Sequence, residues 1–333
     1  MRWGLVGASR IAANHVIDAI RAQDGQGIVS VLSSDADRGR EYAREHGIPR
    51  STTALDEILS DPAIGAVYIS TTNEKHYPQA IAAIDAGKHV LCEKPLAMTV
   101  AEAVGMVRAA VDKGVVLATN HHLRNAGSHM AIRQLIREGR IGDVLSVRIF
   151  HAVHLPAELQ GWRISDAAAG GGVIPDITVH DADTVRFYLD EDPVEVVARS
   201  VASGMGQGVE DSAMSLWSMP SGAMVQAHES FTHPFAGTGI EVHGTKGSIF
   251  GREVMTQRPV GEIWLVDGTG RHSIPFSDHD LYHRSLGEFT KAVRGHGKPA
   301  ADGVDGVKSL AVALAVRAAA GSGRATTIDY GGI

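Results

Sequence analysis

Asp176 and His180, four residues apart in Asp176-Ile177-Thr178-Val179-His180, would share one face of a helix. A carboxylate beside an imidazole provides an orienter and a proton donor that changes charge near neutral pH, which is the equipment of general acid–base chemistry. Lys94, in Glu93-Lys94-Pro95, follows an apolar run and precedes a proline whose peptide bond can be cis. At the end of a strand such a lysine points into a cleft and not into water. The turn Gly7-Ala8-Ser9-Arg10-Ile11-Ala12 has the spacing of a dinucleotide-binding glycine motif but only its first glycine. Gly7 can make the tight turn, Ser9 is small enough for a pyrophosphate to approach the backbone, and Ala12 still lets helix and strand pack closely. A plain tight turn is the competing reading.

Farther on, Leu32-Ser33-Ser34 closes an apolar run where an acid would bind the ribose 2′-hydroxyl of NAD. Two hydroxyls, a helix N-terminus and Arg38 one turn on suit a phosphate instead, which points to NADPH. The alternative makes Asp35 the NAD acid, Ser34 a cap and Arg38 a solvated charge. Thr71-Thr72-Asn73 and His76 begin a loop and helix where a nicotinamide ribose would sit. Metal binding by Asp176, His180 and other histidines is a rival for that pair. No Cys ligand or Glu-x-x-His supports it, so no metal is expected.

These groups need a frame. Strands at Leu5-Val6, Ile28 to Leu32, Ala66 to Ser70, His89 to Cys92 and Val115 to Thr119 alternate with helices, among them Ile11 to Ala22 and Asp35 to His46. That pattern predicts a doubly wound parallel sheet, a Rossmann domain over residues 1–120, with ligands beyond the carboxyl ends of its strands. After Asn120 the expectation is a second, α+β domain over 121–333. It has a long helix from His121 to Gly139, a strand from Val144 to Val153, and Gly170-Gly171-Gly172 leading to a helix near Asp176. A large, open, mainly antiparallel sheet follows from Val194 to about Leu265, with turns at Gly204 to Gly208, Pro220-Ser221-Gly222 and Gly244 to Gly247. Helices at Leu281 to Arg294 and Val304 to Ala320 close the chain.

At 333 residues the chain is long enough for two cores. Lys+Arg 31 against Asp+Glu 38 gives a net charge of -7 with no dense basic run, which argues against nucleic acid or an anionic membrane as partner. The lone Cys92 cannot form an internal disulfide, and neither a leader pattern nor an apolar stretch of ~18 residues is visible, so the expected location is cytoplasmic.

Taken together, Gly7-Ala8-Ser9, Cys92-Glu93-Lys94-Pro95-Leu96-Ala97, Gly161-Trp162-Arg163, Gly170-Gly171-Gly172 and the Asp176/His180 helix resemble the glucose-fructose oxidoreductase / inositol dehydrogenase / rhizopine catabolism (Gfo/Idh/MocA) family over the whole chain. The resemblance implies Lys94, Asp176 and His180 as the catalytic set, with Glu93, Asn120, Trp162, Arg163 and Tyr282 close to cofactor or sugar. It also implies a homo-oligomer formed through the open sheet, although strands such as Met214 to Trp217 suit solvent equally well. The chain departs from the family's glycine pattern at Ser9 and Ala12. With Arg163 the main fixed cation between His151 and His180, the expected substrate is a neutral cyclic keto-sugar. It would rest on Trp162 and hydrogen-bond to His151, His154, Asp176 and His180. The expected activity is NADPH-dependent reduction of that ketone. An NAD-linked inositol or sugar dehydrogenase and a dinucleotide-binding regulator are the alternatives.

Overall fold

Short apolar runs separated by helices form six parallel strands in the computed structural model, which describes residues 1–333. They are β1 (Arg2–Val6), β2 (Gly27–Leu32), β3 (Arg50–Thr52), β4 (Ala66–Ile69), β5 (His89–Cys92) and β6 (Leu117–Thr119). Their order is β3-β2-β1-β4-β5-β6, so the winding reverses between β1 and β4, where a crevice opens beyond the strand ends. Trp3, Leu5, Val6, Val67, Tyr68 and Ile69 are wholly buried, as strands covered on both faces require. The edge strand β3 has no apolar residue and is not expected from the sequence. Helix Ala36–Glu45 is capped by Asp35, which accepts from Arg38 N at 2.8 Å. Helix Val100–Lys113 starts in a Thr99/Glu102 capping box and stops at Gly114 in the left-handed region.

The chain forms two compact units, 1–121 with 282–307 and 333, and 122–281 with 308–332. Residues 282–307, which the sequence expectation assigns to the second domain, therefore pack with the first. Phe289 meets the Trp3 ring at 5.3 Å, Gln26 Nε2 donates to Thr290 Oγ1 at 2.7 Å, and Thr119 N donates to Ala301 O at 3.1 Å. The apolar face of helix Leu281–Val293 finds its cover there, a choice that periodicity cannot express.

In the second unit, β7 (Val144–Ala152), β8 (Glu195–Val201), β9 (Ser212–Ser218), β10 (Met224–Ser230), β11 (Thr238–Gly244), β12 (Gly247–Arg252), β13 (Glu262–Asp267), β14 (Gly270–Ser273) and β15 (Thr326–Thr327) make one sheet. Its order is β14-β13-β12-β11-β7-β10-β9-β8-β15. Every pairing is antiparallel except β7 with β10. One face buries Val147, Ile149, Val225, Ala227, Ile240 and Val242, while the other exposes Met214, Leu216 and Met224. The single helix expected from His121 to Gly139 is two pieces, a 3₁₀ turn His122–Asn125 and a helix Gly127–Arg137, broken at extended Ala126. Gly127 restarts the helix where a Cβ would collide with the Ser277 carbonyl. No helix is long and apolar enough to cross a membrane.

The glycine-rich turn before β9 is organised by one carboxylate. Asp211, with no exposed surface, accepts from the backbone N–H groups of Ser203, Gly204, Met205 and Gly206 and from the Ser203 hydroxyl. Burial alone would raise its carboxyl, but these bonds outweigh that and hold it well below the usual carboxylate range. Asp211→Asn is expected to lower stability by about 1–3 kcal/mol at neutral pH. A group lowered on folding stabilises fully above its unfolded pKa, so the gap between parent and variant should shrink as pH falls below about 3.9. Thermal unfolding across pH checks this, and a gap undiminished in acid would mean that the charge is not the cause.

Candidate active site

In the first unit, the expected cofactor residues gather where strands end. Gly7 follows β1 with φ +119°, and a Cβ there would lie 3.0 Å from the carbonyl carbon and oxygen of Ser70, so only glycine lets the turn approach β4. Ser9 stands at the second glycine position, and its hydroxyl is used twice. It lies 2.7 Å from Ser70 Oγ and accepts from Ala12 N at 3.2 Å, while its carbonyl accepts from Tyr42 OH at 2.9 Å. Ala12 is fully buried against the sheet at the start of a π-helical turn, Ala12–Val16, and Ala8, Arg10 and Ile11 complete the turn between them. The turn is therefore held by serine hydrogen bonds where the motif would have its second glycine.

Beyond β2, Ser33 is buried and Ser34 exposed. Arg38 folds back over both, with Nε 3.3 Å from Ser33 Oγ and a terminal nitrogen 3.3 Å from Ser34 Oγ. Asp35, the rival NAD ligand, has its carboxylate engaged as helix cap. Beyond β4, Thr71, Thr72 and Asn73 lead into the helix of His76. The His76 ring is wholly buried between two carbonyls, Pro95 O at 2.8 Å from Nδ1 and Thr71 O at 3.2 Å from Nε2. Burial pushes its pKa down. Its evident work is to tie the loop after β4 to the turn after β5, where the Lys94-Pro95 peptide is cis.

Glu93 is the hub of that turn. Its carboxylate accepts from Asn120 Nδ2 at 2.6 Å and from the buried Tyr68 hydroxyl. Desolvation pushes its carboxyl up, and Asn120, Tyr68 and Lys94 oppose the rise. Tyr282, fully buried, stacks on His15 at 4.6 Å within the same unit.

In the second unit the expected substrate residues fall into two groups. Asp176 lies in a π-helical turn, Ile174–Thr178, that runs directly into helix Val179–Leu189 carrying His180. Arg163 Nε is 3.5 Å from Asp176 Oδ2, and the guanidinium lies 4.7 Å over the Trp162 ring. Gly170, Gly171 and Gly172 make this possible. A Cβ on Gly171 would press on the carbonyls of Trp162 and Asp166, and Gly172 N donates to Arg163 O at 2.8 Å. His180 is buried, with its ring 4.9 Å from that of His122 and 6.4 Å from that of His151. His154, three residues after His151, is exposed at a bridge to Thr232 and stands outside this cluster.

Three residues of this region are missed by the sequence reading. His122 sits in the unexpected 3₁₀ turn, Asp181 hydrogen-bonds His151 Nδ1 at 2.8 Å, and Glu229 is buried behind Asp181. A Glu on the inward parity of β10 was the available clue, because a charge in an apolar row demands a partner.

Residues 1–121 match a family described as an oxidoreductase family with an NAD-binding Rossmann fold, and residues 129–250 match the GFO/IDH/MocA C-terminal domain. The chain is 56% identical over 331 residues, 99% of each protein, to a 1,5-anhydro-D-fructose reductase of Ensifer adhaerens. It is 28% identical over 95% of each chain to a myo-inositol 2-dehydrogenase of Thermotoga maritima. Among solved structures, an aldose-aldose oxidoreductase from Caulobacter crescentus complexed with glycerol superposes with a TM-score of 0.89 at 26% identity, covering 98% of this chain and 99% of that one. A levoglucosan dehydrogenase complexed with NADH and levoglucosan shares the fold at a TM-score of 0.87 and 23% identity, over 98% and 99% of the two chains.

Proposed function

The chain belongs to the Gfo/Idh/MocA oxidoreductase family, and from that premise we propose that it reduces 1,5-anhydro-D-fructose to 1,5-anhydro-D-mannitol with NADPH. The observation that carries this reading is 56% identity, sustained over 99% of both chains, to a reductase of that ketone. When bound, the nicotinamide supplies the hydride that the carbonyl carbon accepts. His180 donates a proton to the developing alkoxide, Lys94 polarises the carbonyl and stabilises negative charge, and Asp176 orients substrate and imidazole. The buried surroundings of His180 exclude water from that transfer. Gly7 to Ala12 would hold the pyrophosphate, Thr71 to Asn73 with Glu93, Asn120 and Tyr282 would border the nicotinamide end, and His151, Trp162 and Arg163 would hold the sugar. Cys92, buried and with its thiol pushed up by burial, suits a reducing cytoplasm. The exposed Met214, Leu216 and Met224 suit a homo-oligomeric contact on the open sheet.

Arg38, drawn onto Ser33 and Ser34 while Asp35 is engaged as a cap, supports NADPH over NADH. Ser33→Asp should invert the preference, because a carboxylate there repels a 2′-phosphate and accepts from a 2′-hydroxyl. Arg38→Ala should weaken NADPH more than NADH in fluorescence titrations. Equal losses for the two would reduce Arg38 to a surface charge.

His180→Ala is expected to lower kcat by roughly two to four orders of magnitude with NADPH binding nearly intact. Turnover within a few-fold of the parent would mean that the proton comes from elsewhere. A comparison of kcat/KM for 1,5-anhydrofructose, an inosose and a ketose phosphate tests the substrate class. The neutral cyclic ketones should lead, since the Arg163 guanidinium is already engaged by Asp176 and Trp162. A tenfold preference for the phosphate, about 1.4 kcal/mol, would reveal an anion pocket and sink the keto-sugar assignment.

A further inference from the structure

The inner face of the nine-stranded sheet is apolar until its last row. β10 buries Val225, Ala227 and then Glu229, while β7 buries Val147, Ile149 and then His151. Glu229 and His151 are direct partners in the parallel register, so both side chains project to one side of the sheet. Asp181 meets them there from helix Val179–Leu189, its Oδ1 2.8 Å from His151 Nδ1 and its carboxyl at hydrogen-bonding range of Glu229. Neither Asp181 nor Glu229 has any exposed surface.

Two carboxylates are both acceptors. If both were ionised, Asp181 Oδ2 and the facing Glu229 oxygen would be two buried acceptors with no proton between them. One proton resolves the set. The Glu229 O–H donates to Asp181 Oδ2, and the Thr178 hydroxyl donates to the remaining Glu229 oxygen.

We propose that Glu229 is a positioning residue whose protonated carboxyl keeps Asp181 an anion, so that Asp181 fixes His151 as an Nδ1–H donor beside His180. The assignment rests on the reading of His180 as proton donor. It leaves Nε2 as the acceptor of the His151 ring, suited to a sugar hydroxyl or to returning a proton to the site between turnovers. Burial, reinforced by the charge of Asp181, pushes the Glu229 carboxyl well above the ordinary range. The other titratable groups around the pair are His151, His180 and His122, with His129 and Asp183 behind them. His129 is pushed down to about 4 by burial and is neutral at assay pH, and Asp183 is paired with Arg124 at 2.7 Å.

Infrared difference spectra of the full chain, parent against Glu229→Gln at neutral pH, read the C=O stretch of a protonated carboxylic acid without any substrate. One such band is expected, lost in Glu229→Gln. Absence of the loss overturns the proposal. Should Glu229→Gln fail to fold, the same band in the parent must persist from weakly acid through weakly alkaline pH, and its disappearance on reaching neutrality is equally decisive. In turnover, Glu229→Leu should lower kcat by roughly tenfold to a hundredfold, the worth of one hydrogen bond to a charged group. It should also move the acid limb of the kcat profile to higher pH, because Asp181 loses a donor that favours its anion. Glu229→Gln, whose amide N–H replaces the O–H, should restore both rate and profile. A glutamine variant as impaired as the leucine one, or a leucine variant with the parent's pH profile, overturns the assignment. A parent that reduces no keto-sugar refutes the proposed function instead, and the infrared band is untouched by that outcome.

Discussion

In a parallel sheet every chain leaves its strand at the same edge, and both faces are covered, so polar side chains can meet a ligand only beyond the strand ends. At that edge the backbone of Gly7 passes so close to the Ser70 carbonyl that a Cβ would press on it. A set of cross-crevice bonds gathers around this approach. Ser9 reaches Ser70, Tyr42 reaches the Ser9 carbonyl, and His76 joins the neighbouring loop to Pro95. Substituting serine for the second glycine of the fingerprint is tolerable because its hydroxyl caps the following helical turn and adds a bond across the crevice. The dinucleotide turn is thus stiffened by side chains where a glycine-rich relative would rely on bare backbone.

The second unit solves a different problem. A sheet with one buried face has no natural place for ionisable groups, so His151, Asp181 and Glu229 must satisfy one another. Their cost is accepted at the end of the sheet nearest the π-helical turn of Asp176, where the helix is locally widened. The loop that carries Arg163 to Asp176 packs against Gly171, where a Cβ would press on the Trp162 and Asp166 carbonyls. Conformational permissiveness at residues 170–172 and buried polarity at 151, 181 and 229 are therefore the two local departures from ordinary stability rules, and both lie beside the residues proposed for chemistry.

The sequence by itself determined much of this. Period-two and period-3.6 patterns mark five of the six Rossmann strands, because each is a contiguous apolar run whose burial is decided locally. The Gly7 turn, the Lys94-Pro95 turn and the Asp176/His180 spacing are equally local, since each depends on residues within one turn of chain. What only the tertiary structure decided is everything that depends on distant partners. Strand β3 is a strand because β2 offers it an edge, and Gly127 at the restart of the helix has no room for a Cβ because the distant Ser277 lies against it. Helix 281–293 joins the first unit because Trp3 needs cover. His151 and Glu229 become neighbours only through the parallel register of β7 and β10, and Asp181 reaches them from helix Val179–Leu189. Burial and charge pairing are sums over neighbours brought together by folding, and no window along the chain contains them.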